Sequence, residues 1–386
     1  MNTRAVDVAV IGGGLIGLAA AWRLAQHDLR VCVIDPAPAS GASRAAAGML
    51  APISEVTYGE TPLLRFGLES LRRYPDFVAE LEAASRQRVG LRREGMLIVA
   101  TDAGDRAELD ELHAFQTRLG LSATMLTSRE CRALEPMVSP DVRCGLLAGS
   151  DQTVDNRRVA AALLAALDAD QVEVIRQRVA TVTTNGDSAT GVILDDGQAV
   201  AATTVVVAAG PWSSDIAGIP TSALPPVRPV KGQILRLRAH SPALLPTYCL
   251  RGLVNGHEIY LVPRADGELV VGATVEEQGF DTTTRAGAVR ELLRDARAVM
   301  PAIDELELAE ISAALRPGSP DNTPIIGPTA VNGLTVATGH FRNGVLLAPL
   351  TADLLTALVT GSLTDADREL LDVVSPLRFA AAEASA

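Results

Sequence analysis

The chain is 386 residues long, more than a single hydrophobic core comfortably accommodates, so two domains are expected. Hydrophobic residues at 48%, charged residues at 21% and a formal net charge of -12 describe a globular protein and exclude a phosphate backbone as partner, so no nucleic-acid role is expected. The four cysteines, Cys32, Cys131, Cys144 and Cys249, are scattered without a C-x-x-C pair, which suits a reducing compartment and argues against a zinc site or a disulfide frame.

Residues 6–11 read as an apolar strand running into Gly12-Gly13-Gly14-Leu15-Ile16-Gly17, a G-x-G-x-x-G turn that opens a helix. Gly12 permits the tight turn, Gly14 lets the backbone approach a pyrophosphate with no Cβ in the way, and Gly17 lets the helix pack on its strand. The helix then turns its unpaired N–H groups and positive dipole end toward the phosphates. Residues 30–34 return as a second strand, and Asp35 follows about twenty residues past the glycines, where a carboxylate takes a ribose hydroxyl. Strand, turn, helix, strand and acid in this order predict dinucleotide binding. The apolar run of residues 8–22 is broken by three consecutive glycines, has Asp7 at its entrance and is too short to span a bilayer. A cytoplasmic protein without membrane attachment is therefore expected.

Residues 36–52 are almost without charge and rich in small side chains, so the main chain can pass beside something large and flat. Pro36, Ser43, Arg44, Ala47, Gly48 and Met49 are the candidate cofactor contacts here, with Ser40, Ser43 and Arg44 supplying donors suited to phosphate. Composition alone leaves a flexible linker open as the alternative. Residues 63–85 have helical apolar spacing, 95–100 form a strand and 105–119 a second amphipathic helix. The stretch ending near Pro140 is assigned to a domain inserted into the first.

Asp155-Asn156 caps a helix over 157–169. From Val172 the pattern changes to short strands punctuated by Asn185-Gly186 and Asp196-Gly197, the pairs that favour tight hairpins. Val179 lies in this meander and is a further candidate cofactor contact. The β-branched run at 203–207 reads as a strand buried on both faces, rejoining the parallel sheet beside the first strand, with Gly210 at a tight exit under the cofactor. Residues 232–237, 259–264 and 268–274 are strands, the last two joined at Asp266-Gly267, and their alternation predicts a sheet with one face on a core and one open. A helix over 285–299 is closed by Pro301.

The last section repeats the opening pattern. Residues 333–339 form a strand, and Gly339-His340-Phe341-Arg342-Asn343-Gly344 is a glycine-bracketed turn into a helix that continues through Val345 and Leu346. A chain with two such helix N-termini far apart in sequence is built to hold an extended cofactor by both ends. FAD fits better than a nicotinamide cofactor, because the reduced isoalloxazine carries charge that a helix N-terminus stabilises.

Several of these segments together resemble the glycine oxidases of the thiamine-biosynthesis type, within the D-amino-acid oxidase and sarcosine oxidase group of flavoproteins. The resemblance is carried by Gly12 to Gly17, Ala45-Ala46-Ala47-Gly48-Met49-Leu50, Tyr260-Leu261-Val262-Pro263-Arg264 with Val270-Val271-Gly272-Ala273-Thr274, Leu315-Arg316-Pro317-Gly318 and Gly339 to Gly344. It implies an α/β fold: a Rossmann-like FAD-binding domain of the glutathione-reductase type over 1–88, 141–225 and 318–386, with an inserted, mainly antiparallel β substrate domain over 89–140 and 226–317. It implies that Arg316 grips a substrate carboxylate with a bidentate pair, that Tyr260 adds a hydroxyl, that Arg342 borders the amine side and that Met49 lies beside the reaction centre. The residues themselves leave other roles open: an interdomain salt bridge for Arg316, sheet packing for Tyr260, support of the flavin loop for Arg342. His340 is expected to be packed or bonded within that loop and not to act as a base. The family often has a histidine two residues before the tyrosine; Glu258 stands there in this chain, at the expected mouth of the pocket.

The implied activity is FAD-dependent oxidation of glycine, with sarcosine or small D-amino acids as further substrates. Products are glyoxylate, ammonia and hydrogen peroxide, with dioxygen as oxidant and the glycine imine supplying thiazole synthesis for thiamine. A dehydrogenase passing electrons to another acceptor is the alternative. No cysteine follows Cys249 to tether a flavin, so FAD is expected to be noncovalent, and the resemblance implies a homotetramer.

Overall fold

Two eight-stranded sheets carry the fold in the computed structural model, which describes residues 4–379. Residues 1–3 and 380–386, the outer ends of the expected FAD-binding domain, lie outside the described residues. The first sheet runs in the order β17 (Ile325–Pro328), β18 (Leu334–Thr338), β11 (Ala199–Val207), β1 (Arg4–Ile11), β2 (Val31–Ile34) and β8 (Glu173–Ile175), with β9 (Val179–Asn185) and β10 (Ser188–Leu194) branching from β11. Pairing is parallel from β18 through β8, and the register Ala9↔Val205 places the β-branched run beside the first strand as its composition requires. One face packs on α1 (Leu15–Ala25), α3 (Thr61–Ser85), α6 (Asn156–Ala169) and α8 (Gly344–Thr360) through Leu18, Trp22, Phe77, Leu163 and Leu350. The other face is covered by the meander of β9, β10 and β11.

The second sheet runs β16 (Glu307–Gly318), β12 (Arg228–Arg238), β15 (Glu268–Gly272), β14 (His257–Pro263), β13 (Cys249–Val254), β4 (Met96–Ala100), β6 (Cys144–Ala148) and β5 (Thr124–Thr127). All its pairs are antiparallel except β13 with β4. Its odd-numbered face, with Leu235, Leu261 and Val271, packs on α7 (Ala286–Val299); α4 (Ala103–Arg118) and α5 (Ser128–Leu134) lie at the β4–β6 end. The remaining elements are the short α2 (Gly41–Ala45), the two-stranded β3 (Met49–Leu50) and β7 (Gln152–Thr153), and α9 (Asp365–Val374).

Two sequence expectations change. Residues 144–148, assigned to the FAD-binding domain, pair with β4 through Met96↔Ala148 and belong to the second sheet, so the boundary drawn at 141 falls one strand early. A five-residue apolar run looks alike in either sheet, and only its partner assigns it. The second sheet is also not open on one face: Ile234, Val262 and Val270 pack against Ala45, Ala47 and Ala51. The small residues of 45–51 are the cover. Among the described residues no single helix is long and apolar enough to cross a membrane.

Candidate active site

The glycine turn is built by close approach. Gly12 has φ +110°, and a Cβ there would lie 2.3 Å from the Ala208 carbonyl oxygen; a Cβ on Gly17 would lie 2.0 Å from the carbonyl oxygen of Gly12. Strand and helix therefore meet with only hydrogen between them. Gly14 is the N-cap of α1 and supplies no side-chain cap. The Gly13 N–H donates to Asp35 Oδ2 at 2.7 Å and the Ala37 N–H to Oδ1 at 2.7 Å, which fixes the carboxylate while leaving a lone pair on each oxygen for a hydroxyl. Leu15 N–H donates to Ser43 Oγ at 3.0 Å, tying the 36–52 segment to the turn.

From here a cavity of about 1380 Å³, counted with its open mouth, runs to the second sheet. Its near end is lined by Gly14, Leu15, Ile16, Asp35 and Ser43, its middle by Ala47, Gly48, Met49 and Gly210, and its far end by Tyr260, Arg316 and the 340–345 turn. Gly48 has φ +68° and would place a Cβ 1.9 Å from the Val154 carbonyl oxygen, so the cover segment can take this path only with glycine there. Arg264, 4% exposed, holds the path by donating to the carbonyls of Ala47 at 2.6 Å and Val154 at 2.7 Å.

Other expected contacts lie elsewhere. Gly12 and Gly17 support the turn from below. Pro36 faces solvent. Arg44 does not line the cavity: its guanidinium stands 3.8 Å from Glu310, and the element the fold uses is its carbonyl, which accepts from Arg157 Nε at 3.0 Å and Arg236 Nη2 at 3.2 Å. Val179 is buried in the core beneath the meander, away from the cavity, because the inward alternation of β9 commits its side chain to that core. Asn343 and Leu346 line a smaller neighbouring pocket, while Phe341, Arg342, Gly344 and Val345 line the main one.

At the far end two glycines make room for two side chains. Arg316 on β16 lies over Gly232 of β12, where a Cβ would fall 2.4 Å from Nη1, and it donates to the carbonyls of Thr274 at 3.1 Å and Lys231 at 3.4 Å. Tyr260 of β14 lies over Gly272 of β15, where a Cβ would fall 2.4 Å from its hydroxyl. Burial pushes the Tyr260 phenol up to about 12, with Arg316 pulling the other way, so it stays a neutral donor near neutral pH. His340 is 2% exposed, its Nε2 lies 3.1 Å from Thr351 Oγ1, and burial pushes it down to about 3. It is a neutral structural group. Arg342 lies 5.6 Å from the Phe341 ring and has no hydrogen bond or ion pair among the described residues.

The sequence reading missed Glu55, Trp212, Ile234 and Gly232, all of which line the cavity. Glu55 follows the uncharged run by three residues, and a charge ending such a run was the available signal. Glu258, expected at the pocket mouth, points outward and lies 3.2 Å from Arg251 Nη2.

The helix N-termini of α1 and α8 both lack side-chain caps and both line this one cavity, which is the donor set an extended dinucleotide requires. Fold and cavity thus define a dinucleotide-binding flavoprotein whose cofactor site ends in a pocket bearing an arginine and a tyrosine. The chain belongs to the FAD dependent oxidoreductase family, which matches residues 7–358, and FAD is its cofactor. It is 33% identical to the glycine oxidase of Geobacillus kaustophilus over 92% of this chain and 93% of that one. A crystal structure of glycine oxidase from Geobacillus kaustophilus superposes with a TM-score of 0.86 at 32% identity, covering 94% of this chain and 96% of that chain. The bifunctional protein ThiO/ThiG of Synechocystis is 34% identical over 97% of this chain; the chain spans 54% of that relative's length. The hydrogen cyanide synthase subunit HcnC of Pseudomonas aeruginosa is 30% identical over 92% of this chain and 93% of its own.

Proposed function

We propose that this enzyme oxidises glycine, with sarcosine and small D-amino acids as secondary substrates, to the imine, which water converts to glyoxylate and ammonia while dioxygen leaves as hydrogen peroxide. The observation that carries the reading is Arg316 laid across Gly232 beside the Tyr260 phenol at the flavin end of the cavity. Relatives named glycine oxidase and ThiO/ThiG support the substrate and a role in making the thiazole of thiamine.

Bound FAD supplies the acceptor for the hydride of the substrate α-carbon. The chain supplies position and field. Arg316 offers a planar fork to a carboxylate, Tyr260 adds a neutral O–H donor, and Met49 and Ile234 furnish apolar wall. The α8 N-terminus lines the same cavity and would offer positive potential to negative charge on a flavin bound beside it. None of the four cysteines lines the cavity, which supports noncovalent FAD, and all four are buried and unpaired, as a cytoplasmic protein would have them. The first sheet with its helices is proposed to hold the cofactor and the second to close over the substrate; dioxygen as oxidant and a homotetramer are proposed from the resemblance.

The test is the visible spectrum of purified protein under anaerobic conditions before and after glycine. Bleaching that recovers in air with peroxide is expected. A flavin reduced by glycine that reoxidises only with an added acceptor would instead establish the dehydrogenase, and a flavin that glycine leaves oxidised would remove glycine as substrate.

A further inference from the structure

An amino acid brings two polar groups, and the site described so far answers only the carboxylate. Two carboxylates line the cavity. Asp35 is at the far nucleotide end, committed to Gly13 and Ala37; Glu55 shares the substrate end with Tyr260 and Arg316. Glu55 is 15% exposed, yet among the described residues its carboxylate accepts no hydrogen bond. It lines this cavity and the smaller neighbouring pocket, and the nearest cation to its carboxylate is Arg251 Nη2 at 3.8 Å.

The turn that carries it is held by three buried polar side chains. Asp151, fully buried, accepts the N–H groups of Ile53 at 3.1 Å and Ser54 at 2.8 Å. Gln116, also fully buried, donates to the Ile53 carbonyl at 3.0 Å. Arg251, 7% exposed, donates to the Ser54 carbonyl at 2.5 Å. Burying such groups is costly. All three converge on the two residues before Glu55, from β13, α4 and the loop before β7.

Arg251 also sets what Glu55 can do. Its Nη2 is 3.2 Å from the exposed Glu258 and 3.8 Å from Glu55, so the guanidinium bonds outward and leaves the inner carboxylate without a hydrogen bond. Neutralised by Glu258, Arg251 orients Glu55 without consuming it. Building on the reading of the site as a glycine oxidase, we propose that Glu55 accepts the N–H of the substrate amine, with Arg251 and Glu258 as positioning residues that keep its carboxylate free and facing the cavity. The pocket is then a match for a zwitterion: guanidinium for the carboxylate, Glu55 for the nitrogen.

The test compares two ligands on the holoenzyme. Glycine binding is read from the concentration dependence of anaerobic flavin reduction, and binding of acetate, which has no amine, from perturbation of the oxidised flavin spectrum. Glu55→Gln is expected to weaken glycine about 10- to 100-fold, the range for a lost charge-assisted bond, and to leave acetate within about threefold or tighten it. Glu258→Gln, a surface change that frees Arg251 to turn inward onto Glu55, is expected to weaken glycine about three- to tenfold with acetate again spared. Equal loss of both ligands, or no change in glycine, overturns the proposal; if Glu55→Gln fails to fold, Glu258→Gln decides it alone. A wild-type flavin that binds acetate but is not reduced by glycine would overturn the glycine reading, and this inference with it, before any variant is made.

Discussion

Arg316 has the narrowest job description in the chain. Its planar fork already spends one nitrogen on the carbonyls of Thr274 and Lys231, which sets its plane and leaves the remaining N–H groups for a ligand. Arg316→Lys keeps the charge but loses the fork and the backbone anchoring together. It is expected to lower kcat/KM for glycine about 100-fold, most of it in KM, and to weaken acetate in parallel, because the lost bonds form in the ground state as well. Steady-state kinetics with acetate titration check this, and an unchanged acetate affinity would put Arg316 outside the carboxylate site. His340 makes its prediction through pH. Burial holds it at about 3 against an ordinary 6.5, so the unfolded chain takes up a proton well before the folded one does. Its contribution to stability is fully present above about pH 6.5 and is lost as pH falls toward 3. Asp151 has the opposite sign: burial raises it to about 6, so its contribution is greatest below its ordinary 3.8 and is lost as pH rises through 6. His340→Gln keeps a partner for Thr351 and removes the titration. The fall in Tm between pH 6.5 and 4 is expected to be shallower in the variant, and parallel curves would show that His340 does not titrate on unfolding.

At the scale of elements, the β12–β16 pair shows how register becomes chemistry. Val230↔Arg316 and Gly232↔Ala314 place the guanidinium over the one residue of β12 without a side chain. Gly232→Ala pushes a methyl against the flexible end of Arg316, whose Nη1, Nη2 and Cζ are its three nearest neighbours, so the fork is the group that must move. A Tm within a few degrees of wild type and a kcat/KM lower by about tenfold are expected, the cost of one displaced charge-assisted pair. A variant that melts far below wild type would mean that the glycine serves packing instead. The same register explains what could and could not be read from the sequence. The opening strand, glycine turn, helix and Asp35 were legible because each constraint acts between near neighbours. So were α3 and α6, through apolar spacing and the Asp155 cap. Gly232 was not, since its meaning comes from a strand 84 residues away that pairs with it. Glu55 showed only as a charge after an uncharged run; the groups that hold its turn, Gln116, Asp151 and Arg251, are all far from it in sequence. Arg44 was misread because a basic side chain beside small residues suggests phosphate, whereas its carbonyl is what β12 and α6 hold.

Across the whole molecule, the two sheets are joined at the wall of the cavity. Arg236 and Arg264 reach from the second sheet, nearly fully buried, to the carbonyls of Arg44, Ala46 and Ala47, the segment that forms the middle wall of the cavity. Burial lowers Arg264 to about 10, still charged at neutral pH, with Asp155 as the first opposing influence. Such buried cations are costly, and a wall already ordered when FAD binds is the gain that would offset the cost. FAD bound at 1,000 times its Kd adds about 4 kcal/mol to stability by linkage, which separates the melting of holoenzyme and apoprotein by several degrees. Arg264→Met removes the donors to Ala47 and Val154 and leaves both carbonyls unmet, at about 1–3 kcal/mol each. If the arginine serves mainly to order the wall, FAD must spend part of its binding energy on that ordering in the variant. The gap between holo and apo Tm should then narrow and the Kd for FAD rise about tenfold or more. Melting curves with and without FAD, alongside a flavin-fluorescence titration, separate the outcomes: equal lowering of both Tm values with an unchanged FAD affinity would make Arg264 a strut between the sheets alone, and a narrowed gap would make it part of the cofactor site.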